Sequence, residues 1–102
     1  MSHIETFLVD DLRDIDADTV ARTYADAVKV ADTLDLSCAT LYLDHDLGEE
    51  KTGYNFIMYL IAEENLPKEV LIVSSNPVGR DNIGAALVQE GYQKRSPHKF
   101  IR

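Results

Sequence analysis

The sequence holds one cysteine, Cys38, among its 102 residues. No internal disulfide and no cysteine-based zinc site can be built from it. Placed in Leu36-Ser37-Cys38-Ala39-Thr40-Leu41, at the start of an apolar segment, it reads as a small buried hydrophobe. Basic residues are scarce too, 10 against 18 acidic ones, for a formal net charge of −8. That balance argues against a nucleic-acid partner, because affinity there depends on cationic side chains neutralising phosphates. It also repels anionic ligands unless a metal cation or a local basic group such as Arg13 or Arg80 offsets it. No apolar run approaches the roughly 20 residues that cross a bilayer, so no membrane association is expected. Met1-Ser2-His3-Ile4-Glu5-Thr6 lacks the basic start and apolar core of a signal peptide, which makes a cytoplasmic location the expectation. Internal repeats, low-complexity stretches and linkers are missing, and the length suits one domain spanning residues 1–102.

What the chain does have is hydrophobic residues, 45% of the total, gathered into short runs. Thr6-Phe7-Leu8-Val9, Ala39-Thr40-Leu41-Tyr42-Leu43 and Val70-Leu71-Ile72-Val73 read as buried strands, each stopped by polar residues. Thr19-Val20-Ala21-Arg22 is a brief further strand, with Thr23 capping the next helix and Asp26 completing a capping-box-like pair; a helix beginning near Asp18 is the alternative. Thr52 caps a helix from Tyr54 to about Asn65 that is apolar on nearly every side, which implies deep burial. Asn76 followed by Pro77 starts another helix, and Gly91 is its natural stop. Tyr92-Gln93-Lys94 and Lys99-Phe100-Ile101 are short strands around Ser96-Pro97.

Strands alternating with helices predict an α/β fold with right-handed crossovers and a mostly parallel sheet covered on both faces, a three-layer sandwich. Ligands of such sheets bind beyond the carboxyl ends of the strands. Asp10-Asp11, Asp44-His45-Asp46 and Ser74-Ser75-Asn76 all fall there and should converge on one edge. Asp10, Asp11 and Asp44 supply the hard oxygen ligands that suit Mg²⁺ or Mn²⁺. His45 can act as general acid or base, or simply face solvent. Asn76-Pro77-Val78-Gly79-Arg80 offers backbone N–H groups, a glycine and a guanidinium, a setting that binds phosphate readily. Read alone, it is also an ordinary cap with a surface arginine. Ser74 can donate to a phosphoryl oxygen or cap its strand.

Four motifs in order then carry a resemblance over almost the whole chain: Val9-Asp10-Asp11-Leu12-Arg13, Leu43-Asp44-His45-Asp46-Leu47-Gly48-Glu49, Thr52-Gly53-Tyr54-Asn55 and Ser74-Ser75-Asn76-Pro77-Val78-Gly79-Arg80. With Arg22-Thr23 before the first helix, the chain resembles the cyclic-phosphate processing receiver-like family, relatives of two-component receiver domains. The resemblance implies a receiver-like, flavodoxin-like fold with the first helix missing or very short. It implies Asp10 and Asp11 as the acidic metal pair, and Asp44 where receivers carry their phosphoacceptor. Three positions depart from the pattern. Val73 stands where the family has histidine, Asn55 where it has aspartate, and the receiver lysine has only Lys94 or Lys99 as counterparts. The leading expectation is metal-dependent recognition of a phosphate-containing small molecule, a cyclic nucleotide or cyclic phosphate. Asp44 and His45 would do the chemistry, and Arg13, Ser74, Asn76, Gly79 and Arg80 would hold the ligand. The alternative is a non-catalytic signalling module, phosphorylated on Asp44 or binding a protein partner through its acidic surface.

Overall fold

Short, largely apolar runs set the central strands and polar caps set the helices. The computed structural model describes residues 2–102, with side chains from Ile4 onward. The order is β1 (Ser2–His3), β2 (Thr6–Val9), β3 (Thr19–Ala21), α1 (Tyr24–Thr33), β4 (Leu34–Asp35), β5 (Thr40–Leu43), α2 (Gly53–Ala62), β6 (Glu69–Ile72), α3 (Pro77–Gln89), β7 (Gln93–Lys94) and β8 (Lys99–Ile101). Six strands form one sheet in the order β3-β2-β5-β6-β8-β7. The first four are mutually parallel; β8 runs antiparallel to both β6 and β7. This is the expected receiver-like α/β arrangement. The pairing of β1 with β4 was not foreseen, because two-residue strands carry no readable period.

The helix starts are the ones the caps predict. The Thr23 hydroxyl accepts from Asp26 N, Thr52 and Asn55 form a reciprocal capping box, and Asn76 accepts from Gly79 N ahead of α3. Asn55, the departure noted above, therefore has a structural task in holding the first turn of α2.

Between the parallel neighbours β2 and β3 only residues 10–18 intervene, and they contain no helix. Parallel crossovers usually take a dozen residues or more. Hydrogen bonds tie this short one down: Asp18 Oδ2 accepts from Glu5 N at 2.9 Å and Thr6 N at 3.2 Å, and Asp18 N donates to Thr6 Oγ1 at 2.8 Å.

The steps β3→β5, β5→β6 and β6→β7 all move the same way across the sheet, so right-handedness puts α1, α2 and α3 on one face. There Phe7, Val9, Leu41, Leu43, Val70, Ile72 and Phe100 meet Ala27, Ala31, Phe56, Ile57, Leu60, Ile83 and Leu87 in a single core. Of the parallel crossovers in this sheet only β2→β3 steps the other way, and it brings no helix. The expected covering of both faces by helices is thus not met. Alternation along the strands turns Leu8, Tyr42 and Leu71 to the other face, and Leu8 is buried there outside the main core.

Two further expectations change. Cys38 is exposed, because Ala39 N donates to Leu36 O and closes a turn that leaves Ser37 and Cys38 outside while Leu36 and Ala39 are buried. The apolar α2 lies between α1 and α3, and its outward Met58 is 42% exposed.

Candidate functional site

Val9 and Leu43 pair in register, so the residues that follow them, Asp10 and Asp44, leave the sheet side by side. Asp10 is 1% exposed. Its Oδ1 accepts the N–H groups of Leu12 and Arg13 at 3.0 and 3.2 Å, an Asx turn that folds the loop back over the strand end. The turn brings Arg13 Nη1 to 3.3 Å from Asp10 Oδ2 and 3.7 Å from Asp44 Oδ2. Asp11 completes the group: one carboxylate oxygen each from Asp10, Asp11 and Asp44 lie within 4.8 Å of one another. The donors are all hard oxygens, and Arg13 already places a positive charge against two of them. A Mg²⁺-like cation fits such a set by chemistry and by spacing.

The two buried carboxylates respond to this setting in opposite directions. Burial pushes the Asp44 carboxyl up, and the Asp10 charge adds to the push; the Asp46 N–H, the Ser74 hydroxyl and Arg13 oppose it without prevailing. Burial also raises Asp10, but the N–H groups of Leu12 and Arg13 and the Arg13 guanidinium outweigh it and leave Asp10 below the ordinary value. Ionised Asp44 therefore costs stability, and that cost grows as pH rises through its elevated range. Asp10 contributes stability above the ordinary carboxylate range and loses it as pH falls below. In buffer with EDTA at neutral pH, Asp44→Asn is expected to raise the melting temperature by a few degrees, and Asp10→Ala to lower it. Thermal unfolding of the two variants checks the contrast; a lower melting temperature for Asp44→Asn overturns it.

His45 has a defined place. Its Nδ1 lies 3.0 Å from Asp46 Oδ1, and because a carboxylate only accepts, Nδ1–H donates to it and Nε2 is left for another partner. Asn76 Nδ2 donates to the two Asp46 oxygens at 3.3 and 3.5 Å, joining the β5 and β6 ends. The ring covers Gly79, where a Cβ would come within 2.3 Å of His45 Cγ. Gly79 thus makes room for histidine rather than for an approaching anion. The start of α3 is largely spent as well: Pro77 has no N–H, Gly79 N donates to Asn76 Oδ1 at 3.1 Å and Arg80 N to Asn76 O at 2.9 Å.

The three polar clusters do converge, through Arg13 between Asp10 and Asp44, Ser74 with Asp44, and Asn76 with Asp46. Arg80 stands apart, on the side of α3 that faces the β7–β8 hairpin, and Lys94 lines the same groove. Lys99 pairs with Glu69 at 3.4 Å. Neither lysine takes the receiver-lysine place beside the aspartates: Lys99 turns back to Glu69 at the start of β6, and Lys94 lies on the edge strand β7. The positive charge there is Arg13.

One positioning residue escaped the sequence argument except as a family match. Arg22 Nη1 donates to the carbonyls of Asp10 and Arg13, and Nη2 pairs with Asp14 at 2.8 Å, clamping the loop that carries the acidic pair. Nothing local in the sequence signals that a strand-end arginine reaches back nine or twelve residues. Arg22→Ala is expected to speed amide exchange at Leu12 and Arg13 at least about tenfold while β5 amides keep their protection, since local opening needs only the clamp to fail. Hydrogen-exchange mass spectrometry reads both regions in one experiment.

A receiver-like sheet with an acidic trio at the carboxyl ends of its adjacent central strands defines the class. Residues 6–89 match the model of the cyclic-phosphate processing receiver domain, and the chain belongs to that family. Neither a curated protein nor a solved structure matches it. Among the described residues no helix is long and apolar enough to cross a membrane.

Proposed function

We propose that this domain binds a divalent cation through Asp10, Asp11 and Asp44 and, with it, a small phosphate ester of the cyclic-phosphate or cyclic-nucleotide class, which it processes. The observation that carries the reading is the trio itself, three carboxylate oxygens within 4.8 Å at the ends of β2 and β5 with a guanidinium against two of them. A bound Mg²⁺ or Mn²⁺ would neutralise phosphate charge in a chain of net charge −8. Arg13, 43% exposed, is free to turn part of its fork to a phosphoryl oxygen, while the single Ser74 hydroxyl proton is directed at Asp44. His45, with Nδ1 fixed by Asp46, is the group that moves a proton at Nε2. The burial that raises the Asp44 carboxyl favours a bound cation, because pairing relieves the cost of its charge.

Calorimetric titration with cyclic nucleotides in the presence of Mg²⁺, followed by phosphorus NMR, tests binding and turnover separately. Expected are metal-dependent binding and conversion of the cyclic diester to a monoester, as water adds across one P–O bond and the ring oxygen leaves as a hydroxyl. Asp44→Asn should remove both, and His45→Gln should remove conversion while binding persists. A panel of cyclic nucleotides giving neither binding nor conversion ends the proposal.

A further inference from the structure

We propose that the groove between α3 and the β7–β8 hairpin docks an acidic polypeptide segment carrying apolar side chains; this does not depend on the metal reading. The groove encloses about 610 Å³. Arg80 and Lys94 supply its charge, and Ala85, Val88, Pro97 and Phe100 give it an apolar strip. Arg80 is half-buried and its Nε has no hydrogen-bond partner among the described residues. A buried donor left without an acceptor is costly, and turning the guanidinium side-on to a carboxylate would satisfy Nε and Nη together. Val88, 50% exposed, leaves apolar surface open in the strip.

Charge complementarity selects the occupant. Residues 91–102 contain four basic residues and no acidic one, whereas residues 1–90 contain six basic and 18 acidic. Two of those four are engaged within the chain: Lys99 with Glu69, and Arg102, which donates to Leu66 O at 3.1 Å. The side chains of Lys94 and Arg95 are exposed and have no partner among the described residues, so the hairpin presents positive charge beside Arg80. Asp81 is the one acidic side chain on the lining. An acidic partner is repelled by most of the surface and accepted here, so the same charge pattern attracts and discriminates. The groove is open along the α3 positions from Arg80 to Gln89, about 13 Å at the helical rise, which suits a length of chain rather than an enclosed small molecule.

The test titrates the isotope-labelled full chain, at low salt, with a capped octapeptide of six acidic residues and two leucines. Amide shifts are expected at Ala85, Val88, Lys94 and Phe100. Arg80→Gln with Lys94→Gln should weaken binding at least about tenfold, the worth of one charge-assisted hydrogen bond. Val88→Asp should weaken it similarly by placing a like charge in the strip. Lys29→Gln, which removes one positive charge from exposed α1, should change nothing. The proposal is overturned if no shifts appear, if Lys29→Gln weakens binding as much as the groove variants, or if inorganic phosphate gives the same shift map and displaces the peptide.

Discussion

Gly53→Ala is expected to destabilise the domain by about 3 kcal/mol, the upper part of the usual overpacking range. A Cβ at this position would sit 2.0 Å from the Asp44 carbonyl oxygen, 3.0 Å from its carbon and 3.1 Å from His45 Cα. All three are backbone atoms, so no side chain can swing away to make room. Gly53 N donates to His45 O at 2.8 Å, which fixes the start of α2 against the end of β5. Glycine is required here for closeness, not for an unusual backbone angle. Accommodating a methyl means separating α2 from the strand that carries Asp44, which disturbs core and site together. The melting temperature should fall by roughly 10–20 °C, the equivalent of that loss in a chain near 100 residues. Thermal unfolding measures it directly. A change of only a degree or two would mean that the β5–α2 loop relaxes freely.

Metal should act with comparable size and opposite sign. A cation that binds only the folded chain stabilises it by about 2.7 kcal/mol at a hundredfold excess over its dissociation constant, or roughly 10–20 °C here. Asp10→Asn combined with Asp44→Asn should abolish the rise, since two of the three ligands lose their charge. The rise should also shrink as pH drops toward the range in which Asp44, pushed up by burial, takes up a proton. Melting curves with Mg²⁺ or Mn²⁺ against EDTA test this without reference to turnover. Identical curves would remove the metal from the site and leave Arg13 as its permanent cation.

Much of the fold was legible because its signals are short-ranged. Thr6–Val9, Thr40–Leu43 and Glu69–Ile72 are strands where uninterrupted apolar residues meet polar stops, and Thr23, Thr52 and Asn76 cap helices through partners three residues on. The acidic trio was legible too, since the parallel alternation places every strand's carboxyl end on one edge and Asp10 and Asp44 follow paired strands. Pairing across long separations was not. Arg22 reaching the carbonyls of Asp10 and Arg13, and the His45 ring filling the space above Gly79, depend on how loops cross in three dimensions.

The sequence by itself determined the central strands and the three helices, and that carboxylates end the central strands, because propensity, capping and periodicity act over a few residues. The tertiary structure alone decided that the three helices share one face, that Cys38 faces solvent, and that Asp10 is held ionised while Asp44 is pushed the other way. Those outcomes rest on crossover handedness, on a turn closed by a single hydrogen bond and on where Arg13 lands between two buried charges. Each is a sum over distant neighbours, and no local pattern of residues contains it.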